Sequence, residues 1–484
     1  MSPRIVIVGG GLAGLAAAVA LTERNLPCLV LESRIRLGGR ASSFHDPTTG
    51  SEIDNCQHVT LGCCTNFRHF CEATGLASSF RREPALHFVG PSGKVDRFAA
   101  GPLPAPLHLL GGFASLSYLS WQEKQALARG LKALARPVSS ADEALPFSEW
   151  LKQHRQPTNV VNRFWFVVLV SALSESLDRI SVTHARKVIV DAFLANRDGW
   201  YVDIPTVPLE TLYGGLLVEW LTSRGSQIRL QTGVEKFEMA GEIVSGVRLN
   251  SGEIVEGDEF LAAVPFHRIR SLLPDALTSH PDLQGIEQLE PAPISSLHLW
   301  FDRPITDLPH AVLVDRLCQW VFNRTLLGNT PASTLLAGPQ GTDVVEKSFY
   351  YQIVISASHQ LGGRSKEDIQ QEVLKELAEV WPETANAILL HSRQVTEHRA
   401  VFSPVPGIDG LRPAQQSPVA NLQLAGDWTR TGWPATMEGA VRSGYLAAEN
   451  ILSRLGKPKR VIRPNLKTAF LSRVIYGLPA NEPG

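Results

Sequence analysis

Three glycines with the spacing Gly9-x-Gly11-x-x-Gly14 form the first pattern in the chain that suggests chemistry. They separate a short β-branched run, residues 5–8, from an Ala/Leu-rich stretch, residues 12–24. In such a turn the first glycine permits a tight bend and the second lets backbone approach a pyrophosphate. The third lets the helix and the strand pack closely. The spacing therefore predicts a phosphate-binding turn between a strand and a helix.

A carboxylate extends this prediction. Glu32 ends a second apolar run, residues 28–31, at the distance from the turn where an acidic side chain accepts hydrogen bonds from a ribose. The segment therefore predicts a strand, helix and strand that together bind a dinucleotide. Because NAD and FAD use the same unit, further residues are needed to choose between them.

A second glycine pair follows the ribose acid. Gly38, Gly39 and Arg40 lie in the sequence RLGGRASSF, residues 36–44. This stretch resembles the one that touches the pyrophosphate in FAD-dependent amine oxidases and carotenoid desaturases. The resemblance implies that FAD is the cofactor.

Another motif lies far along the chain, where an apolar run ends in Gly426 and Asp427 and a helix is predicted to begin at Met437 and Glu438. The run resembles the second flavin motif of the same superfamily, whose aspartate meets the ribityl or pyrophosphate region. A helix start there would direct backbone N–H groups at N1 and O2 of the flavin, where negative charge accumulates on reduction. In the superfamily a valine at the end of a strand-like segment packs on adenine, and Val234 in residues 228–234 matches it.

These cofactor segments are far apart in sequence, so the cofactor domain should be discontinuous. We predict an α/β fold with a Rossmann-like FAD-binding domain and a second substrate domain of mixed sheet and helices. In that domain we predict strands over 295–301 and 348–356 and a helix over 367–381. The predicted boundaries are 1–90, 210–275 and 395–455 for the FAD-binding domain, 91–209 and 276–394 for the substrate domain, and 456–484 for a basic and apolar C-terminal tail.

Residues 54–66 (DNCQHVTLGCCTN) and 426–444 (GDWTRTGWPATMEGAVRSG) together resemble the hydroxysqualene dehydroxylase family, squalene-associated FAD-dependent enzymes of bacterial hopanoid pathways. The resemblance implies reductive removal of the allylic hydroxyl group of hydroxysqualene, which yields squalene and oxidised FAD. An allylic C–O bond ionises once its oxygen is protonated, and reduced FAD can deliver hydride to the cation. It also implies a hydrophobic isoprenoid substrate and functional coupling to the synthases of the squalene pathway.

The proton donor for this reaction is not fixed by spacing. Asp54 and His58 lie close together in the first of these motifs, and Arg430 lies in the loop before the flavin helix. We take these three as catalytic candidates. A histidine in such a motif is as readily a structural residue, and Asp54 could equally orient or cap a neighbouring group.

Three other functions remain open at this point. A carotenoid-type (phytoene) desaturase would share the fold, the cofactor and a tunnel for a long apolar chain, but its hydride would move towards FAD. A flavin amine oxidase is suggested by the Met437 segment and by Trp433 as an aromatic wall, although residues 237–346 contain no lysine to face the flavin. A non-catalytic binder of prenyl chains would need no flavin, and the intact dinucleotide motifs argue against it.

Composition excludes other classes. The chain of 484 residues is 44% hydrophobic and 19% charged, with a formal net charge of -1, so it has no overall field to attract nucleic acid. Its six cysteines lack zinc-site spacing, and no metal site is predicted. Without an export signal, we expect reduced thiols in a cytoplasmic protein.

The apolar run of residues 5–21 is too short to span a bilayer and contains the glycine turn, so no transmembrane helix is predicted. Two other segments, residues 107–136 and the tail from residue 457, mix apolar and basic side chains. Either could rest on an anionic bilayer or pack as an ordinary helix on the core. We expect peripheral contact with the inner face of the cytoplasmic membrane, with the mouth of a hydrocarbon tunnel near residues 102–136.

Overall fold

The computed structural model describes residues 3–328, 333–337 and 343–480. A parallel sheet at its centre consists of β1 (Ile5–Val8), β2 (Cys28–Leu31), β10 (Gln227–Arg229), β14 (Glu259–Ala262) and β22 (Leu422–Leu424), in the order β10-β2-β1-β14-β22. Helices cover this sheet, and its apolar strands are buried, as parallel strands require. The α/β fold class predicted from the sequence is confirmed.

The helices are numbered along the chain, and short 3-10 and π-helical segments are left unnumbered. They are α1 (Leu12–Thr22), α2 (Thr65–Ala73), α3 (Leu110–Ser115), α4 (Trp121–Leu134), α5 (Ser140–Glu143), α6 (Phe147–Gln153), α7 (Thr158–Val160), α8 (Val167–Leu173), α9 (Val182–Ile189), α10 (Leu217–Thr222), α11 (Phe266–Leu272), α12 (Asp275–Thr278), α13 (Pro281–Gln284), α14 (Arg324–Leu327), α15 (Lys366–Val380), α16 (Met437–Arg454) and α17 (Phe470–Tyr476).

A second, larger sheet belongs to the substrate domain. It consists of β7 (Leu86–Val89), β8 (Val95–Phe98), β15 (Pro291–Phe301), β16 (His310–Leu313), β17 (Trp320–Asn323), β20 (Phe349–Ser356) and β21 (Leu389–Phe402), in the order β21-β15-β20-β17-β16-β7-β8. The predicted helix over 367–381 is α15, which packs its apolar residues Ile369, Val373 and Leu377 on one face of this sheet. The opposite face is turned towards the cofactor domain, where Phe44 meets His298 of β15 edge to face.

Smaller antiparallel sheets complete the two domains. They are β3 (Ser43–Asp46) with β4 (Ser51–Asp54); β5 (Thr60–Leu61), β9 (Val202–Pro205) and β6 (Phe80–Glu83); β11 (Val234–Ala240), β12 (Ile243–Leu249) and β13 (Ile254–Glu256); and β18 (Ser333–Ala337) with β19 (Asp343–Lys347). The sheet of β5, β9 and β6 joins residues 60–61 of the motif at 54–66 to the substrate domain.

Two strands lie across the predicted domain boundaries. β7 falls within the range 1–90, and β21 extends beyond residue 395, yet both belong to the large substrate sheet. The predicted strand over 228–234 is also wrong as a single element, because the chain leaves β10 at Arg229 and turns before Val234 begins β11. Residue patterns show where apolar strands lie but not which sheet they join, since pairing partners are distant in sequence.

Helix α4 corrects part of the surface prediction. It begins with a capping box in which Ser120 and Glu123 exchange hydrogen bonds. Its apolar residues Leu127, Leu131 and Leu134 are buried in the core of the substrate domain. This stripe is therefore an ordinary core-facing helix face and is not free to contact a bilayer.

The tail after α16 runs across both domains. Its backbone is held in turn by the side chains of Glu449 in α16, Asn66 in α2 and Asn196 in the substrate domain. It then forms α17, and residues 481–484 of the predicted tail lie outside the described residues. Within the described ranges, no helix has both the length and the apolar composition needed to cross a membrane.

Helices α1 and α16 cross in close contact over the central sheet. A Cβ atom added to Gly444 of α16 would lie 2.2 Å from the carbonyl oxygen of Ala13 in α1. No side chain fits at this distance, so the glycine sets how closely the two helices approach. We expect Gly444→Ala to lower the free energy of unfolding by about 1–3 kcal/mol through overpacking, measured by chemical denaturation.

Gly111 in the exposed helix α3 is a matched control, because a Cβ there would meet no atom within 4 Å. Since alanine favours a helix over glycine by roughly 1 kcal/mol, Gly111→Ala should be neutral or stabilising. Equal stability changes in the two variants would contradict the role assigned to the crossing.

Candidate cofactor and active site

The glycine turn has the geometry of a phosphate cradle. Gly9 has a φ of 110°, which favours glycine, and a Cβ on Gly14 would lie 2.1 Å from the oxygen of Gly9. Gly11 differs, because a Cβ there would meet only the Cα of Gly39, at 3.9 Å. The first and third glycines are thus required by the protein itself. The second borders open space that a phosphate group can approach.

Glu32 is held at the end of β2. Its two carboxylate oxygens accept hydrogen bonds from the backbone N–H groups of Gly10, at 2.7 Å, and Arg34, at 2.8 Å. The turn before β11 is tied to the same place, because the N–H of Thr232 donates to the Glu32 carbonyl. Val234 follows directly and packs on the strands of the central sheet. The structure therefore brings Glu32 and Val234 to one edge of the cradle.

Arg40 joins the glycine pair to the second motif. The N–H of Gly38 donates to the carbonyl of Gly10, which places the pair against the first turn. Arg40 then donates to the Asp427 carboxylate at 2.6 Å and to the Ala400 carbonyl of β21 at 2.8 Å. Burial lowers the pKa of Arg40, but the charge and hydrogen bond of Asp427 outweigh it and raise that pKa above its ordinary value.

The second motif is fixed by a buried arginine that the sequence did not single out. Arg412 donates hydrogen bonds to the carbonyl oxygens of Asp427, at 3.0 Å, and Thr429, at 2.6 Å. Its side chain is fully buried, and Asp409 neutralises its charge at 2.7 Å. Gly426 receives its own support from Ser443 of α16, whose hydroxyl accepts the Gly426 N–H. Hydrogen bonds within the protein therefore fix the loop that carries Asp427.

The start of α16 faces the cradle with open backbone donors. Thr436 caps the helix by accepting the N–H of Gly439 at 3.0 Å. The N–H groups of Met437 and Glu438 have no acceptor among the described residues, as is usual in a first helical turn. Two N–H groups at the positive end of a long helix can stabilise negative charge on a bound ring.

The side chain of Glu438 points away from the predicted flavin contact, which involves only its backbone. Its carboxylate lies at the start of α2, where it accepts the N–H groups of Asn66 and Phe67 and the side-chain amide of Asn66. Burial raises its pKa, although these hydrogen bonds and Arg442 oppose that shift. Only the backbone of Glu438 is left for a cofactor, because the carboxylate caps another helix.

Asp54 holds elements together. One carboxylate oxygen accepts the hydroxyl of Ser43 at 2.7 Å and the N–H of Leu209 at 2.9 Å, and the other is buried without a partner. The residue thus ties the β3–β4 hairpin to the segment before α10. This geometry fits the orienting role considered for Asp54 from the sequence.

His58 and Cys56 lie between Asp54 and the apolar core of the substrate domain. Both are partly exposed, and burial raises the pKa of the Cys56 thiol to about 12 and lowers the pKa of the His58 imidazole. His58 is oriented by a hydrogen bond between Nδ1 and the carbonyl of Cys56, at 2.9 Å. Val59 beside them packs on the apolar core of the substrate domain.

Arg430 is not brought to Asp54 and His58. It is exposed, and its backbone N–H donates to the carbonyl of Pro413 on the outer side of the loop. Asp54 and His58 lie close together as the sequence suggested, but the third catalytic candidate does not join them.

The substrate sheet contributes polar residues that sequence reasoning missed. His298 on β15 hydrogen-bonds through Nδ1 to the hydroxyl of Tyr350 on β20, at 2.7 Å, and Trp300 stacks on Tyr350 at 4.6 Å. Cross-strand from His298, Gln352 reaches the Asp54 carbonyl at 3.4 Å. The alternation of Ser296, His298 and Trp300 along β15 could have indicated one shared face, but not that this face meets the cofactor domain.

A lysine of the substrate domain also contacts the loop between Asp427 and α16. Lys187 of α9 lies over the ring of Trp433 at 4.8 Å and pairs with Asp191 at 2.7 Å. The indole N–H of Trp433 is buried without a partner. Through its contact with Trp433, Lys187 of the substrate domain supports the loop that carries Asp427.

The residues present fit FAD. FAD would be held through its phosphates at Gly11, its ribose at Glu32 and its ring at the N–H groups that begin α16. Arg40, whose side chain is 29% exposed, pairs with Asp427 at the same site. Together with the second domain, this site defines the class of two-domain, dinucleotide-binding oxidoreductases.

Comparison with known proteins gives the family. Residues 12–452 match the family of flavin-containing amine oxidoreductases, and the chain therefore belongs to that family and binds FAD. It is similar to the 15-cis-phytoene desaturase of Solanum lycopersicum, with 29% identity over 93% of this chain and 77% of the relative. The 15-cis-phytoene desaturase of Synechococcus elongatus is 28% identical over 94% of this chain and 97% of the relative.

Solved structures support the fold. Cyclohexylamine oxidase from Brevibacterium oxydans superposes with a TM-score of 0.65 at 17% identity, covering 94% of this chain and 100% of that structure. At this identity the likeness concerns architecture alone. Among these comparisons, similarity in sequence is to carotenoid desaturases, and the resemblance to hydroxysqualene dehydroxylase is not reproduced.

We expect Asp427→Asn to lower the FAD content of the purified protein. The change leaves the enclosed charge of Arg40 without its partner, and breaking a buried ion pair typically costs about 3–5 kcal/mol. The measurement is the ratio of flavin to protein absorbance after gel filtration. Glu256→Gln removes the partner of Arg4 in an exposed pair and should leave flavin content unchanged. Full flavin occupancy in Asp427→Asn would contradict this placement of the second motif.

His298 makes stability depend on pH. Burial lowers its pKa to about 3, below the value of about 6.5 expected for the unfolded chain. Between these values the unfolded state takes up a proton that the folded state does not, so stability falls as pH decreases through this window. His298→Gln should reduce the slope by up to about 1.4 kcal/mol per pH unit, measured by urea unfolding. An unchanged slope would show that His298 titrates alike in both states.

Proposed function

We propose that this protein transfers hydride between FAD and a long isoprenoid chain. One observation carries the proposal: the segment of Cys56, His58 and Val59 packs on the apolar core of the substrate domain and lies next to Arg40 of the cofactor site. An apolar wall on one side and a cofactor cradle on the other suit a hydrocarbon substrate. The similar desaturases named above act on phytoene, which is such a chain.

The chain's own residues prepare this site. FAD, when bound, supplies the centre that accepts or donates hydride. Arg40 and Asp427 fix the cradle, and Arg412 keeps the second motif in place. The enclosing apolar side chains exclude water, which protects a reactive carbon centre from hydrolysis.

The direction proposed first is desaturation, in which the substrate loses a hydride to FAD and a proton to a base as a C=C bond forms. The lowered pKa of His58 keeps its imidazole neutral at neutral pH, so it can accept that proton. The similarity to phytoene desaturases favours the same direction. An amine oxidase is less favoured, because residues 237–346 contain no lysine to face the flavin.

Reductive dehydroxylation of hydroxysqualene is the second candidate. Its specific support is Tyr350, which is partly exposed. Burial raises the pKa of this tyrosine above its ordinary value. A phenol that keeps its proton, with His298 behind it, could protonate a leaving hydroxyl group. The C–O bond would then break to release water, and reduced FAD would supply the hydride that forms the new C–H bond. An external reductant would have to restore the flavin. The motif at 54–66, which resembles the dehydroxylase family, supports the same reading.

Two anaerobic mixing experiments separate the candidates. Oxidised protein mixed with 15-cis-phytoene in detergent should lose its flavin absorbance and form a product with an added double bond. Dithionite-reduced protein mixed with hydroxysqualene should regain oxidised flavin and form squalene only if the second candidate is correct. No flavin change with either substrate would contradict the proposed function.

Variants assign the proton step. If desaturation is the activity, His58→Gln should slow single-turnover flavin reduction by at least roughly a hundredfold with flavin content unchanged, and Tyr350→Phe should have little effect. If dehydroxylation is the activity, the order should reverse. A His58→Gln variant that turns over phytoene at the normal rate would exclude the imidazole as the base.

A further inference from the structure

We propose that one face of this protein docks on an anionic lipid bilayer. This docking face consists of the exposed apolar side chains of Leu103, Leu110, Phe470 and Val474, together with the basic residues of the tail beside them. None of these residues belongs to the cofactor site, and the proposal does not depend on which reaction that site carries out. It adds an interaction surface and a partner of defined chemistry, a bilayer with acidic headgroups.

The fold brings two distant segments together to form the docking face. Both are held by one stretch of the substrate domain, residues 194–197. Arg197 donates to the carbonyl of Leu103 at 2.5 Å, and Asn196 donates to the carbonyl of Lys467 at 2.6 Å. The tail stays on this stretch through α17, where the Ser472 hydroxyl donates to the carbonyl of Leu194. The loop around Leu103 and helix α17 therefore flank the same strip of surface.

The apolar side chains of the docking face are more exposed than large apolar residues usually are. Phe470 is 72% exposed and Val474 is 65% exposed, one helical turn apart on the same side of α17. Leu103 and Leu110 are about half exposed; Leu103 lies in a loop closed by the hydrogen bond from the Gly101 N–H to the carbonyl of His108, and Leu110 begins α3 directly after it. The inner side of α17 is anchored, because Leu478 beyond it is buried in the substrate-domain core. Helix α17 thus exposes Phe470 and Val474 to solvent although the chain directly after it is packed on the protein.

The positive charge of the tail favours an anionic bilayer as the partner of the docking face. No aspartate or glutamate occurs between Glu449 and Glu482, and no charged residue of either sign occurs between Arg97 and Glu123. The tail carries exposed basic residues throughout, including Lys467 and Arg473 next to the apolar side chains. Basic side chains beside exposed aromatic and aliphatic ones on a short helix are the pattern of interfacial attachment. Asp198 lies beside Arg197 at one margin of the face.

The docking face covers part of the apolar core of the substrate domain. Leu109 and Leu116, on either side of α3, belong to the same cluster of buried residues as Trp200 and Val202, and Val59 packs on that cluster. Docking would therefore place this side of the substrate domain next to the acyl chains. Helix α4, which the sequence analysis had considered for this role, contributes no apolar stripe because its leucines are buried.

Vesicle sedimentation of the full-length, FAD-loaded protein tests the proposal. The protein should sediment with vesicles of equal parts phosphatidylcholine and phosphatidylglycerol, and less with phosphatidylcholine alone or at high salt. The double variant Phe470→Glu/Val474→Glu should bind at least about tenfold more weakly. The matched control is Ile254→Glu, which changes a side chain exposed to 52% on β13, away from the docking face. It should bind like the unchanged protein.

Three outcomes would overturn the proposal. The unchanged protein could fail to sediment, the double variant could bind as well as the control, or the double variant could convert a dimer seen by gel filtration into a monomer, which would make the face a contact between copies. Flavin content and thermal unfolding verify that the double variant is folded. Flavin reduction with detergent-dispersed substrate is measured in parallel, so a protein that binds vesicles but reacts with neither isoprenoid would contradict the proposed function alone.

Discussion

The enclosed charge of Arg40 is the constraint on which the rest of the cofactor site depends. A guanidinium removed from water must be neutralised and hydrogen-bonded, or its desolvation outweighs what the fold gains. Asp427 and the Ala400 carbonyl meet that need, and the carbonyl of Arg40 itself accepts the side-chain amide of Asn55. Four segments scattered through the chain are thus obliged to converge at one residue. These contacts hold the separate segments of the cofactor domain together.

Arg412 repeats the same principle one layer further out. Its buried charge is satisfied by Asp409 and by backbone carbonyls of the loop after Gly426, so the loop has little freedom to move. The buried carboxylate of Glu438 likewise accepts the backbone N–H of Phe67 at the start of α2. In each case a buried ionised side chain orients backbone.

Local motifs were predictable from the sequence because their physics is local. The turn at Gly9 and Gly14, the carboxylate of Glu32 and the apolar periodicity of α15 need only neighbouring residues. Arg412, His298 and the cap made by Glu438 could not be predicted, since their partners lie in distant parts of the chain and no spacing records them. The predicted boundaries placed β7 with the cofactor domain and divided β21 between the two domains for the same reason: an apolar run does not specify its pairing partner.

The crossing at Gly444 has an electrostatic consequence. Ala13 is in the first turn of α1, and at about 1.5 Å per residue the start of α16 lies only about 10 Å along its axis from the contact. Two helix amino termini, each with partial positive charge, are therefore held near one another by a contact between backbones. The two helix starts would together attract an anionic dinucleotide, and its negative charge would offset the repulsion between them.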